Sequence, residues 1–191
     1  MAKELEYEFK TMLTNAEHKY VMDHFEVHRG NRQINYYFDT NRFTLKASEI
    51  GLRVRKRENV DYEITCKRKK GYVAHVLNEF ITKEQFEEFL ETGIIPSEAI
   101  RKDLEDIIKG QTVVNYMTLE TFRISFPYKS GRLCVDKCKY VDTIDHELIY
   151  ECNVYEKGKK EFVETVKSLG ITYKKADPKM KRAYAALRRK L

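Results

Sequence analysis

The stretch ELEYEFK, Glu4 to Lys10, alternates charged with apolar side chains: Glu4, Glu6, Glu8 and Lys10 are interleaved with Leu5, Tyr7 and Phe9. In an extended chain successive side chains point to opposite faces, so the four charges share one face and the three apolar groups the other. A strand with one wet side would read this way, and so would a strand whose charged side lines an enclosed space. The other strands decide between them.

The pattern recurs along the chain. INYYFDT (Ile34 to Thr40) is rich in β-formers, GLRVRKRE (Gly51 to Glu58) and DYEITCKRKK (Asp61 to Lys70) alternate, and a further strand is expected from about Tyr72 to Ile81. In the second half TVVNYMTLETFRISFPY, RLCVDKCKYVD and DHELIYECNVY read as three or four more strands, with turns near Ser130-Gly131 and Thr143. Arg53, Arg55 and Arg57 oppose Leu52 and Val54, while Glu63, Thr65, Lys67 and Lys69 oppose Ile64 and Cys66. Arg123 shares a face with Thr121 and Ser125, and Asp136 opposes Leu133, Val135 and Lys137. Glu147 and Glu151 share a face with Ile149 between them. Acids dominate the first and last strands and bases the middle ones, which random decoration of a wet surface would not produce.

Helical spacing marks five further segments. Thr14 is a candidate cap for a helix carrying Ala16, Tyr20, Val21, His24 and Phe25, and TKEQFEEFLETG carries Phe86, Phe89 and Leu90 and ends near Gly93. Another helix follows Pro96 to about Lys109, and another covers Glu161 to Leu169. From about 177 a last helix is expected to cover the sheet, with Asp177 as cap, Pro178 in the first turn and an apolar stripe of Met180, Ala183, Tyr184 and Leu187. About eight strands with helices inserted give an α+β class: an antiparallel sheet that closes into a barrel with helices packed outside, in one domain spanning residues 1–191.

Charged residues make up 35% of the 191, above the roughly quarter of an average protein, and 36 Lys and Arg against 30 Asp and Glu leave a net charge of +6. That balance favours an anionic partner. No apolar run reaches membrane-spanning length and the N-terminus is polar and acidic, so a cytoplasmic protein with no membrane partner is expected. Cys66, Cys134, Cys138 and Cys152 show no paired CxxC spacing and read as free thiols, and the five histidines are scattered in a way that does not suggest a metal site.

A barrel with helices outside would turn its charged faces inward, where they need water and a charged ligand. Clustered carboxylates suit a hard divalent cation such as Mg²⁺ or Mn²⁺, and guanidiniums facing them suit phosphate oxygens. The ligand that satisfies both is a metal-bound polyphosphate. Bases placed on strands that also carry acids, without a stripe of interleaved aromatics, argue against a nucleic-acid platform.

The residues resemble the CYTH domain of the triphosphate tunnel metalloenzymes. That family opens with Glu-x-Glu-x-Lys, matched by Glu6, Glu8 and Lys10, and the likeness continues through YYFDT (Tyr36 to Thr40), LRVR (Leu52 to Arg55), Thr65-x-Lys67, Arg123, LCVD (Leu133 to Asp136) and the acidic HELIYEC. It is nearest to the compact bacterial branch. The resemblance implies an eight-stranded antiparallel tunnel, with Glu6, Glu8, Asp136, Glu147 and Glu151 as the metal-holding acids. It also implies that Lys10, Arg53, Arg55, Lys67 and Arg123 bind phosphate, that Lys10 assists the leaving group, and that Glu147 or Glu151 helps to place the attacking water. Lys69 and Glu79 are further candidates for the inner face, whereas Tyr37 and Asp39 are expected to fix a strand end and turn. Ile149 replaces an acid that close relatives often carry, which thins the second metal position. The activity implied is metal-dependent hydrolysis of inorganic triphosphate or a small organic triphosphate. The alternatives are a class IV adenylate cyclase-like reaction or a non-catalytic polyphosphate or nucleotide sensor. The oligomeric state stays open between monomer and dimer.

Overall fold

The computed structural model describes residues 7–58, 62–70 and 73–190, with the side chains of 69, 70, 73 and 74 outside the description. Among the described residues there are eight strands: β1 (Tyr7–Leu13), β2 (Asn31–Thr40), β3 (Ile50–Arg57), β4 (Tyr62–Lys70), β5 (Val73–Ile81), β6 (Val113–Tyr128), β7 (Gly131–Tyr140) and β8 (Thr143–Cys152). The same residues hold six helices: α1 (Asn15–His24), α2 (Thr44–Ala47), α3 (Lys83–Thr92), α4 (Glu98–Ile108), α5 (Tyr155–Ser168) and α6 (Lys179–Lys190). The strands form one antiparallel sheet in the order β1-β8-β7-β6-β2-β3-β4-β5. β1 and β5 end that order, so backbone hydrogen bonds among the described residues do not close the sheet into the expected barrel.

The chain divides into two compact units. One holds residues 1–32 and 121–191, the other residues 33–120, and β6 passes from the second into the first. In the first, alternation on β7 and β8 sends Leu133, Val135, Leu148 and Tyr150 to one side, where they bury against Val21 of α1 and Phe162 and Val166 of α5. α1 starts where Thr14 and Glu17 form a capping box, the Thr14 hydroxyl accepting from Glu17 N at 3.1 Å and the Glu17 carboxylate accepting from Thr14 N at 2.7 Å. α5 begins six residues before the expected Glu161. Gly158 in its first turn lowers helical propensity, but a Cβ there would lie 2.0 Å from Cys152 Sγ. The glycine is what lets the helix pack directly on β8.

In the second unit Phe38, Leu52, Val54, Ile64 and Cys66 form the apolar face, covered by Phe86 and Phe89 of α3 and Ile100 and Leu104 of α4. Two stacked ring pairs seal it, Phe38 on Phe89 at 4.2 Å and Tyr62 on Phe86 at 4.4 Å. Full burial of each such ring stabilises by roughly 1.5–3 kcal/mol. Thr82 caps α3 and Gly93 ends it at φ 72°, the left-handed conformation that costs glycine least. Sequence spacing had no sign of α2. It is held by Asp39, whose carboxylate accepts from the backbone N–H of Thr40 (2.7 Å), Leu45 (2.9 Å) and Lys46 (2.9 Å). The structural role expected of Asp39 is thus what it performs.

Candidate functional site

In the first unit the register fixes which side chains share the face opposite the apolar core. Glu8 pairs with Glu151, Lys10 with Ile149 and Met12 with Glu147, and on the other side of β8 Glu151 pairs with Arg132, Ile149 with Cys134 and Glu147 with Asp136. Directly paired residues lie on one face. Glu8, Lys10, Cys134, Asp136, Glu147, Ile149 and Glu151 therefore belong to a single surface, and Ile149 lies on it between the two late acids, as the alternation implied.

That surface carries a dense ion network. Arg123 of β6 donates from Nε to Asp136 Oδ1 at 2.8 Å, from Nη2 to Asp136 Oδ2 at 2.9 Å and from Nη1 to Glu151 Oε1 at 3.1 Å. Lys179, the first residue of α6, places its ammonium 2.8 Å from Asp136 Oδ2 and in an ion pair with Glu147 Oε1. One turn on, Arg182 donates to Glu147 Oε2 at 2.9 Å and to Asp145 Oδ2 at 2.9 Å, and Tyr140 donates to the same Asp145 carboxylate. Asp136 and Glu147 are fully buried. Burial alone would raise the Asp136 pKa, but the Arg123 and Lys179 cations hold it below the usual carboxylate value. The same network overcomes the effect of burial on Arg123 and keeps its guanidinium charged. Between the acids lies a neutral strip: Ile149 is fully buried, and burial pushes the Cys134 thiol up to about 12. Cys138 offers a third ligand atom beside Asp136 and Glu147, all within 4.8 Å of one another.

Glu8 is more open, 48% exposed, and takes Lys10 Nζ at 3.3 Å on one oxygen. Glu151 takes Arg123 on one oxygen. Among the described residues each keeps its second oxygen without a cationic partner, so this directly paired couple fits a hard cation better than the crowded Asp136 and Glu147. Glu6 lies outside the described residues.

In the second unit the register gathers bases. Tyr37 pairs with Arg53, which pairs with Thr65; Asn35 pairs with Arg55, which pairs with Glu63; Gly51 pairs with Lys67. Arg55 Nε donates to Asn35 Oδ1 at 2.9 Å, and Glu63 meets Arg57 at 3.5 Å. Burial, then the charges of Arg53 and Arg57, push the Arg55 pKa down to about 10. Among the described residues Arg53 Nε is buried without a hydrogen-bond partner. Tyr37 is drawn into this cluster: burial raises its pKa while Arg53, also its hydrogen-bond partner, and Arg55 pull the other way. That placement is the part of Tyr37 that the reading as a strand-end residue missed. Glu79 pairs with Ile64, on the apolar side of β4, and so belongs to the face opposite Lys67, while the side chain of Lys69 lies outside the described residues.

Lys179, Arg182 and Asp145 were not among the expected site residues. The helical stripe of α6 gives its apolar side but carries no signal that Lys179 and Arg182, three apart and hence neighbours on one helix face, reach the acids of β7 and β8.

The first unit thus carries a cluster of acids with their cationic partners and the second a cluster of bases on β3 and β4, within an eight-stranded antiparallel sheet. The family comparison makes this particular: residues 4–184 match the CYTH domain model, and the chain belongs to the CYTH domain family. It is 26% identical over 196 residues to YjbK of Bacillus subtilis (strain 168), described as a putative triphosphatase, with all of both chains covered. Among solved structures it is similar to a putative adenylate cyclase from Bacillus halodurans, at 27% identity and TM-score 0.72, covering 95% of this chain and 98% of that one. It also shares its fold with a putative adenylyl cyclase from Hippeastrum whose structure is described as revealing a dominant triphosphatase activity, at 21% identity and TM-score 0.73, covering 98% and 96%. Among the described residues no helix is long and apolar enough to cross a membrane.

Proposed function

We propose that this chain is a phosphoanhydride hydrolase that acts on inorganic triphosphate or a small organic triphosphate with Mg²⁺ or Mn²⁺. The observation that carries this reading is the guanidinium cluster of β3. Arg53, Arg55 and Arg57 alternate along one strand face, so neighbours are about 7 Å apart along the strand, with Lys67 one strand away on the same face. Glu63 of β4 pairs with Arg55 and meets Arg57 at 3.5 Å. Arg53 and Arg55 are partly buried and Arg57 and Lys67 exposed, and gathering these cations on one face against mutual repulsion is costly unless an anion joins them; the orphaned Arg53 Nε supplies a donor for one of its oxygens. A phosphate chain has the charge and the repeat of acceptor oxygens to match.

Glu8 and Glu151, with Glu6, would hold the divalent ion. Bound there, the metal would neutralise phosphate charge and lower the pKa of a water for in-line attack. Lys10, beside Glu8, would donate to the phosphate oxygens that gain charge, while Arg53, Arg55 and Lys67 would grip the chain and fix its direction. Arg123 contributes its remaining donors, since three of five are already committed to acids. Glu151 would orient the water, and Asp136 and Glu147 supply the fixed negative charge behind it. The experiment is phosphate release from inorganic triphosphate, ATP and thiamine triphosphate, each with Mg²⁺ and with Mn²⁺. Release from at least one pair is expected. Tight binding without release from any of them would replace the hydrolase by a sensor.

A further inference from the structure

We infer that Lys179 stands in for a second divalent cation: its ammonium fills the space between Asp136 and Glu147, so this acidic face takes one exchangeable metal ion and one tethered cation. The two carboxylates are directly paired across β7 and β8, fully buried, and close enough with Cys138 to converge on one ion. Acids so arranged, withdrawn from water, require a cation between them. The chain provides it from α6. Lys179 reaches Asp136 Oδ2 and Glu147 Oε1, and among the described residues Glu147 Oε1 has no hydrogen-bond donor besides that ion-pair partner. Each remaining oxygen is also engaged, Asp136 Oδ1 by Arg123 and Glu147 Oε2 by Arg182.

Charge agrees with position. Asp136, Asp145, Glu147 and Glu151 against Arg123, Lys179 and Arg182 leave one negative charge in the network. Without Lys179 two remain, which one divalent ion would cancel. Arg182 locks the lysine in place, because its guanidinium donates to both Glu147 and Asp145 and also to the Asp177 carbonyl just before the helix. A cation held by a helix cannot exchange with solvent as a hydrated ion does.

The inference rests on the metal-dependent reading above, and the test separates them by counting ions rather than turnover. Mn²⁺ is titrated into the folded full chain and free ion is counted by electron paramagnetic resonance, in the wild type, in Lys179→Met and in Lys179→Arg. The wild type and Lys179→Arg should take one ion, and Lys179→Met should take two, the second bound at least tenfold more tightly than any second ion in the wild type. Two ions of similar affinity in the wild type overturn the inference whether or not Lys179→Met folds, and so does a single ion in a folded Lys179→Met. No ion in the wild type with one in Lys179→Met would overturn the metal at Glu8 and Glu151 and leave the role of Lys179 standing.

Discussion

Replacing Arg123 by glutamine should destabilise the fold before it does anything else. Arg123 makes two parallel bonds to the buried Asp136 carboxylate, at 2.8 and 2.9 Å, and one to Glu151 at 3.1 Å. Losing one partner of a fully buried pair costs roughly 3–5 kcal/mol, and an exposed pair roughly 0–1 kcal/mol. Two facts place Arg123 between these limits. Its side chain is 37% exposed, and Lys179 continues to neutralise Asp136 from 2.8 Å. The expected loss at pH 7 is thus about 2 kcal/mol, read by urea denaturation followed by circular dichroism.

The pH dependence gives a second reading of the same variant. Burial would raise the Asp136 pKa, but Arg123 and Lys179 depress it below its unfolded value. A carboxylate with a depressed folded pKa contributes stability that is complete above the unfolded pKa and lost as pH falls through the folded one. Arg123→Gln should move that acid-side loss to higher pH, and in an Asp136→Asn background the Arg123 substitution should lose most of its effect, keeping only the part due to Glu151. A loss at pH 7 below about 0.5 kcal/mol, typical of a surface substitution, together with an unmoved acid limb would refute the network as the support of this face.

Three further outcomes are expected. Glu8→Gln should keep the circular dichroism spectrum while abolishing Mn²⁺ binding in the wild-type concentration range and with it phosphate release, because the amide loses the charge that holds a hard cation. Arg55→Ala should weaken inorganic triphosphate binding by about 1.5–3 kcal/mol in calorimetry, the range for a hydrogen bond to a charged group, and equal affinity would remove Arg55 from the grip. The His18 and His146 rings lie 4.2 Å apart and tilted by 39°, and burial, then the charges of His146 and Lys137, push the His18 pKa down to about 4 against a smaller pull from Asp136. The unfolded imidazole binds more protons between about pH 4 and 6.5, so stability should rise with pH across that window. Because the ring is only partly withdrawn from solvent the effect is held to about 1 kcal/mol, and His18→Phe should flatten the slope in thermal melts.

The legible part of the protein was whatever depended on two-residue alternation. The strand faces of Arg53 and Arg55, of Glu147 and Glu151, and of Leu133 and Val135 follow from period alone, and register then joined faces that the sequence had already sorted. Features set by one residue acting at a distance were not legible. The start of α5 was hidden because a glycine reads as a helix breaker until its contact with Cys152 is seen. α2 was hidden because its four residues lack a periodic signal and its cap is a carboxylate in the preceding strand. Lys179 and Arg182 were hidden for a third reason: their partners are 32 to 43 residues away, and a stripe on a helix says which side is apolar without saying which face of a sheet it meets.

Ile149 ties the legible part to the hidden one. The sequence placed it among the acids, and the register agrees, setting it opposite Lys10 on one side and Cys134 on the other. Its effect is to part the carboxylates into two groups that differ in access to water. Glu8 is about half exposed, so an ion at Glu8 and Glu151 can shed and recover its hydration shell as substrate comes and goes. Asp136 and Glu147 are closed off, so an ion there would have to be stripped bare and would exchange slowly. A permanent cation suits the closed group and an exchangeable one the open group. Among the described residues Arg123 is the side chain hydrogen-bonded to both, through Asp136 and Glu151, and so is placed to make charge gained at the open group felt at the closed one.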